Sequence, residues 1–162
     1  MKKALSLMVI LCLLAVVFPG VIIAEAFSFI IKTTAQFLEI NERPSAVYRL
    51  EAEEPIKLDN SFTTFSNSFT GKLIGVDGKN VIALDINRTG TTEYATIFKQ
   101  IWQSAVIDNI EITGSVVGGN AEYTSALIGQ IYAGSTATVR NITNRANVTI
   151  NYNASLSNSG GI

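Results

Sequence analysis

Short apolar segments of period two recur along the second half of the chain, and they recur at a fixed spacing. Ile97-Phe98-Lys99-Gln100-Ile101-Trp102 returns as Leu127-Ile128-Gly129-Gln130-Ile131-Tyr132, 30 residues on. Ile107-Asp108-Asn109-Ile110-Glu111-Ile112 returns as Val139-Arg140-Asn141-Ile142-Thr143-Asn144, 32 residues on. Val81-Ile82-Ala83-Leu84-Asp85-Ile86 reads as an earlier, partial copy, with Ala83 where the others carry asparagine. Residues two apart share one side of a strand, so Leu84 with Ile86, and Ile110 with Ile112, point inward while Asp85 and Glu111 meet water. Leu84, Ile110 and Ile142 are expected to fill one interior column. A repeat of this length built from β-type segments is the signature of a solenoid, in which each repeat buries its apolar edge on the next.

The rest of the chain supplies the ends and corners. Residues 27–32 alternate and predict a strand. Thr33-Thr34-Ala35-Gln36 predicts a capping box, opening a one- to two-turn helix over residues 35–40 that residues 41–44 end. That helix either covers the open backbone edge of a strand stack or lies on the surface. Residues 46–50 and 56–58 are short strands. Between them, Glu51, Glu53 and Glu54 raise a cation site or acid chemistry, and a solvated turn is the reading adopted. Residues 60–67 form a loop that tucks Phe62 and Phe65 onto the core. Asp77-Gly78 is a tight turn between two apolar runs.

Further turn clusters fall at residues 87–92, 114–120, 134–135 and 151–161. Thr113-Gly114 and Val117-Gly118-Gly119 are expected to bend the chain from one sheet face to the next. No helix of crossover length separates the strands, which disfavours βαβ units and leaves a coil of stacked parallel strands. Asn109 and Asn141, at equivalent positions, either stack as an amide ladder or serve as turn asparagines.

At the N-terminus, Met1-Lys2-Lys3 precedes an apolar run over residues 4–24, broken by Pro19-Gly20 and followed by Ala24-Glu25-Ala26. That order predicts a secretory signal peptide, residues 1–26, cleaved before Phe27. The rival is a retained anchor, since about 20 apolar residues span a bilayer; Pro19-Gly20 weighs against it. Cys12, the single cysteine, lies in the leader and lacks the small-residue context of a lipoprotein cysteine, so disulfides and thiol chemistry are excluded from the processed chain. Without Lys2, Lys3 and Glu25, 10 of the 12 basic and 12 of the 13 acidic residues remain. That balance excludes a nucleic-acid partner held by phosphate neutralisation.

The chain has no histidine, which excludes histidine triads, histidine zinc sites and imidazole acid–base work; no cofactor and no metal are expected. Asp85, Asp108 and Glu111 are the carboxylates on repeating strands, with Arg140 at the position equivalent to Asp108. A glycosidase needs two carboxyls at a set separation, whereas outward charges on a solenoid keep its surface wet, and the second reading is preferred. Trp102 and Tyr132 match across the repeat and are expected to pack in the core or at its edge; the rival is an aromatic stripe on which sugars stack. Trp102, Tyr132, Asp108 and Arg140 are therefore the candidate ligand surface. Asn-x-Ser/Thr sequons stand at Asn87, Asn141, Asn147 and Asn153. Composition alone makes such sequons in a chain rich in Asn, Thr and Ser; with Asn141 expected to face inward, Asn87, Asn147 and Asn153 are the glycosylation candidates.

These residues carry a family likeness. Thr33-Thr34-Ala35-Gln36-Phe37-Leu38 with Tyr48-Arg49-Leu50, Phe69-Thr70-Gly71 with Asp77-Gly78-Lys79-Asn80-Val81-Ile82, Ala126-Leu127-Ile128-Gly129 and Gly160-Gly161-Ile162 together resemble the GLUG-motif proteins. Ala95 and Ala126 replace the first glycine of that motif, and Lys99 replaces the last one in the first copy. The resemblance implies a right-handed parallel β-helix and a secreted or cell-surface, adhesin-like role. Larger members carry peptidase or attachment domains beside such repeats.

The expected organisation is a signal peptide (1–26), an N-terminal strand with a capping helix (27–60), and β-helix rungs (61–162) that break off in mid-pattern, with further repeats or domains beyond. The expected function is a non-catalytic structural or adhesive module that binds an extracellular glycan or protein through repeated strand faces. The alternatives are a carbohydrate-active β-helix enzyme using surface carboxylates and a membrane-anchored stalk of a larger surface protein.

Overall fold

The computed structural model describes residues 28–89, 94–119 and 122–151, together with the backbone of 158–159; the expected signal peptide, Cys12, Asn153 and Gly160-Gly161-Ile162 lie outside the described residues. Among the described residues the chain is mostly β, with 51 % in strands, one short helix and a parallel sheet. Its strands are β1 (Ser28–Ile31), β2 (Val47–Leu50), β3 (Ile56–Leu58), β4 (Lys72–Gly75), β5 (Val81–Arg88), β6 (Phe98–Ile101), β7 (Val106–Gly118), β8 (Tyr123–Thr124), β9 (Ile128–Ile131), β10 (Thr138–Asn144), β11 (Asn147–Ile150) and β12 (Asn158–Ser159). Helix α1 (Thr34–Leu38) runs into a 3-10 turn (Glu39–Asn41).

All the pairings described are parallel, and apart from the β8–β12 pair and the Ala95–Thr124 bridge they fall into three series. In the first, β1, β2, β4, the start of β7 and β10 pair in that order. In the second, β3 pairs with β5, β5 with the later part of β7, and that part with β11. In the third, Phe65 bridges Phe98 and Phe69 bridges Ile101, while β6 pairs with β9. Parallel register puts like residues above one another, so each series builds apolar columns. Phe29, Tyr48, Leu73, Ile107 and Val139 form one; Ile56, Ile82 and Ile112 form another. On the third, Phe65, Phe98 and Ile128 align, and the Phe65 and Phe98 rings meet edge-on at 5.4 Å. The repeat of Phe98 to Ile101 in Ile128 to Ile131 and that of Ile107 to Ile110 in Val139 to Ile142 are therefore the pairings that the sequence spacing predicts.

The capping box forms, with one change of partner. The Gln36 amide donates to Thr33 Oγ1 at 3.3 Å, while Gln36 Oε1 accepts from the Lys32 amide at 2.8 Å rather than from the cap residue's own. Phe37 and Ile40 are buried, and Phe37 packs 5.6 Å from Phe65. Thr34 Oγ1 accepts from the Lys57 amide at 3.1 Å, so the helix satisfies a donor on the outer edge of β3. An edge strand with free amides is a template for unwanted pairing, and α1 covers this one.

Two expected features of the repeat are corrected. Leu84 does not share a column with Ile110: the register pairs Ile82 with Ile112, Leu84 with Gly114 and Ile86 with Val116. The alignment read from sequence is displaced by four residues. Because four is even, every side chain keeps its face, and Leu84, Ile86, Ile110 and Ile112 are all buried. Secondly, Thr113-Gly114 makes no turn but lies inside the 13-residue strand β7, and Asn87 likewise falls within β5.

The change of direction within β7 comes earlier, at Asn109, where φ is +56°. There the strand leaves its β4 partner and takes up β5. Asn141 repeats the conformation at φ +54°. Asparagine visits this left-handed region at lower cost than most side chains, so both are corner residues. Their amides bond to the preceding repeat instead of to each other. Asn109 Nδ2 donates to the Gly75 carbonyl at 3.0 Å and to Asp77 Oδ1 at 2.6 Å, and Asn141 Nδ2 donates to Asp108 Oδ1 at 2.8 Å. Asn141 is exposed, not inward. Asp77-Gly78 also closes a corner and not a hairpin, since β4 and β5 each pair with β7 and not with one another.

Candidate functional site

The aromatic candidates sit just beyond matched strand ends. Trp102 follows β6 and Tyr132 follows β9, and the Trp102 and Tyr132 amides donate back to Phe69 and Ile101 in the preceding repeat, at 2.9 and 3.1 Å. Holding equivalent residues in adjacent repeats brings their rings to 5.4 Å, tilted by 55°. Of the two placements expected, core or edge, the rings take the edge: Trp102 is 41 % and Tyr132 48 % exposed. The cause is the corner that follows each ring. At Gln103 φ is +57° and at Gly134 +80°, turning the chain away from the core before the next strand begins.

The charged candidates meet across β7 and β10. Parallel register sets Arg140 against Asp108, and Arg140 Nε and Nη2 donate to Asp108 Oδ2 at 2.9 and 2.8 Å. The Arg140 guanidinium, followed by the Asn141 amide, holds the Asp108 carboxyl below the ordinary carboxylate range. A group whose folded pKa is depressed stabilises the fold above that ordinary range and stops doing so as pH falls through the lowered value. Acidification is therefore expected to lower the melting temperature of the wild type more than that of Asp108→Asn, which has no carboxylate to protonate there. Thermal melts between neutral and strongly acidic pH check this; equal losses in both proteins would remove Asp108 from the acid response. The effect is small, since Arg140 is largely exposed and solvent screens an exposed ion pair.

No hydrogen bond or ring contact joins the Trp102–Tyr132 pair to the Asp108–Arg140 pair among the described residues. Each pair is a contact between successive repeats, presented on its own part of the surface. The other two carboxylates on the repeating strands, Asp85 and Glu111, do not converge on one another. Asp85 lies opposite Ser115, four residues along the strand from Glu111, which at about 3.3 Å per residue is about 13 Å. Glycosidase carboxyls stand about 5–9.5 Å apart. Glu111 is engaged by Arg145 at 3.5 Å. Among the described residues no group of three or more Asp, Glu, His or Cys could hold a metal ion, and no described helix is long and apolar enough to cross a membrane. Asn87 and Asn147 are exposed, as a glycan acceptor must be.

Two features escape the sequence reading. Tyr94 and Tyr123 stack at 5.7 Å, 17° from parallel, with Lys99 Nζ 4.5 Å over the Tyr94 ring and the Tyr94 hydroxyl donating to Glu122 at 2.9 Å. Extending the 30-residue repeat three positions upstream aligns Tyr94 with Thr124, one residue off Tyr123, so an allowance for a one-residue gap would have found the pair. The second is a buried hydroxyl chain: Thr64 Oγ1 donates to the Thr96 carbonyl at 2.8 Å, the Thr96 and Ser125 hydroxyls share a 2.7 Å bond, and Ser125 Oγ donates to the Ile128 carbonyl at 2.7 Å. Its members satisfy one another and are spent on the fold.

Two cavities open on the described surface. One of about 370 Å³ lies between α1 and the loop over residues 59–66. The other, about 790 Å³, lies between β9 and β10, and Arg140 is the candidate residue that lines it. Compared with known proteins, the chain matches no protein-family model, no curated protein and no solved structure, so the geometry carries the functional reading.

Proposed function

We propose that this chain is a secreted or cell-surface, non-catalytic module with the fold of a right-handed parallel β-helix, akin to the GLUG-motif proteins, and that its role is structural and adhesive. The three series of parallel pairs are its three faces. Secretion rests on the charged, apolar and small-residue order of residues 1–26. The alanines that replace motif glycines, Ala95 and Ala126, are fully buried, so they serve as small core residues of the same repeat. The observation that carries the adhesive role is the exposed Trp102–Tyr132 pair, repeated from one rung to the next at 5.4 Å. Exposed aromatics are costly to leave in water and are enriched where proteins bind.

The test has three parts. Mass spectrometry of the secreted chain is expected to place its N-terminus at Phe27. Immobilised cellulose, xylan, mannan and pectin, probed with wild type and with a Trp102→Ala/Tyr132→Ala double variant, are expected to show at least one surface bound about ten-fold more weakly by the variant, about 1.4 kcal/mol. No binding by wild type to these or to protein-coated surfaces would end the adhesive reading. Turnover of any of these polysaccharides that Asp108→Asn abolishes would replace it with the enzyme.

A further inference from the structure

The chain has a single cysteine, so no disulfide within it ties one repeat to the next. A different pair of side chains is held where a covalent tie can form. Ala95 bridges Thr124 in parallel, and the Ala95 amide donates to the Tyr123 carbonyl at 3.0 Å. Tyr94 and Tyr123 therefore occupy the same place in successive repeats, and their rings stack at 5.7 Å, 17° from parallel. Both side chains are half-buried and not sealed in, so an oxidant reaches them and the rings keep room to shift.

The polar surroundings suit the loss of an electron. The Tyr94 hydroxyl donates to Glu122 Oε2 at 2.9 Å, and the Tyr123 hydroxyl donates to Gln130 Oε1 at 3.2 Å. Burial, then the neighbouring Glu122 carboxylate, raises the Tyr123 hydroxyl above the ordinary phenol pKa, so this ring starts as the neutral phenol. A phenol that gives up an electron becomes a strong acid, and the Glu122 carboxylate stands ready to take its proton. Lys99 Nζ lies 4.5 Å over the Tyr94 ring. A cation there repels a positively charged ring, so the electron and proton of Tyr94 leave together.

We propose that Tyr94 and Tyr123 are the site of an intramolecular dityrosine cross-link, formed when hydrogen peroxide acts on the chain through a haem peroxidase. Each tyrosine gives up one electron and its phenolic proton. The two phenoxyl radicals then join through a carbon ortho to each oxygen, and each ring passes its ortho hydrogen to its oxygen to restore the phenol. The chain loses two hydrogen atoms in all, and one peroxide takes up both electrons and both protons as two waters. Reactants held side by side meet far more often than reactants on separate molecules, and that selects this pair. The bond closes a loop between neighbouring repeats and restricts the unfolded chain as a disulfide would. It rests on the stacked pair alone, not on the adhesive reading of Trp102 and Tyr132.

The experiment exposes the full chain, at dilution, to hydrogen peroxide and a haem peroxidase, and follows it by mass spectrometry and thermal melts. Wild type is expected to give a monomer two hydrogen atoms lighter, with a higher melting temperature. Trypsin cuts after Arg88, Lys99 and Arg140, so peptides 89–99 and 100–140 are expected to stay joined through the new bond. Tyr94→Phe and Tyr123→Phe keep a ring in the stack and lose the phenol, and each is expected to abolish the joined peptides. Tyr132→Phe, whose ring lies in the second of those peptides, is expected to leave them joined. Glu122→Gln is expected to slow the joining several-fold, and an unchanged rate would remove Glu122 as the proton's acceptor. A wild type that yields no joined peptides under peroxide that couples free tyrosine overturns the proposal, as do joined peptides that persist in Tyr94→Phe. A urea-unfolded chain that joins the same peptides as fast as the folded one overturns it too, since the fold would then do nothing to choose the pair.

Discussion

Ile110→Asp is expected to abolish cooperative folding. Ile110 follows the Asn109 corner, is 1 % exposed, and lies in register with Ile142 in the neighbouring strand. A carboxylate there has no partner, and burying one costs several kcal/mol or forces it to take up a proton, against a total stability of about 5–15 kcal/mol for a domain. The matched control is Ile74→Asp in the first series. Ile74 is 37 % exposed and stands in the outer column between Arg49 and Asp108, so its change should stay within about 0.5 kcal/mol, as surface substitutions do. Denaturant titrations of the two variants make the comparison. A melting temperature for Ile110→Asp within a few degrees of wild type would mean that the inside and outside of these strands are wrongly assigned.

Gly114→Ala is the second large effect, and it probes close approach rather than polarity. Gly114 has φ +90° and sits in β7 opposite Leu84. A Cβ placed on it would lie 2.0 Å from the Leu84 carbonyl oxygen, a backbone atom that cannot move without parting β5 from β7. The left-handed conformation alone costs a side chain about 1–2 kcal/mol, and the collision comes on top. Gly78 isolates the conformational part. Its φ is +71° and a Cβ there meets nothing within 4 Å, so Gly78→Ala should cost about 1–2 kcal/mol and no more. Equal losses in the two variants would show that β5 and β7 do not approach each other at Gly114.

That glycine also shows where sequence reading stops. Alternation of apolar and polar residues fixes which face a side chain takes, because that needs only parity; hence Leu84 with Ile86, and Ile110 with Ile112, were legible as core, whereas Ile107, an odd number of residues from Ile110, is buried with it only because the Asn109 corner interrupts the alternation. Register needs more. Val81 to Ile86 fits its neighbour equally well at displacements of two or four residues, and the pairing of Leu84 with Gly114 is decided by three-dimensional fit, the absent side chain making room for a carbonyl. Corners fail for a related reason. Thr113-Gly114 has the composition of a turn, yet the bend falls at Asn109, whose side chain bonds to Gly75 and Asp77 in the preceding repeat. Such bonds link residues more than 30 apart and leave no local trace.

The candidate surface was legible in part. The 30-residue spacing of Trp102 and Tyr132 revealed that they are equivalent, and the pairing of Asp108 with Arg140 followed from the 32-residue offset of the neighbouring segment. Their exposure was not readable, because an aromatic at a strand end is equally at home inside or outside until the backbone of the corner after it is known. Positive φ at Gln103 and Gly134 supplies that information, and glutamine gives no warning of it.

The claim beneath all of this is that successive repeats lie parallel and in register, Lys72, Val106 and Thr138 forming one column. Disulfide trapping in a Cys12→Ser background tests it most directly. Neighbouring strands are about 4.8 Å apart, within the reach of a disulfide. Cysteines replacing Val106 and Thr138 are therefore expected to cross-link rapidly within one chain, and so are cysteines replacing Lys72 and Val106. Cysteines replacing Val106 and Asn144 should not, since Asn144 lies opposite Ile112. Cross-linking of that last pair in preference to the first two would reverse the direction of β10 and contradict the account.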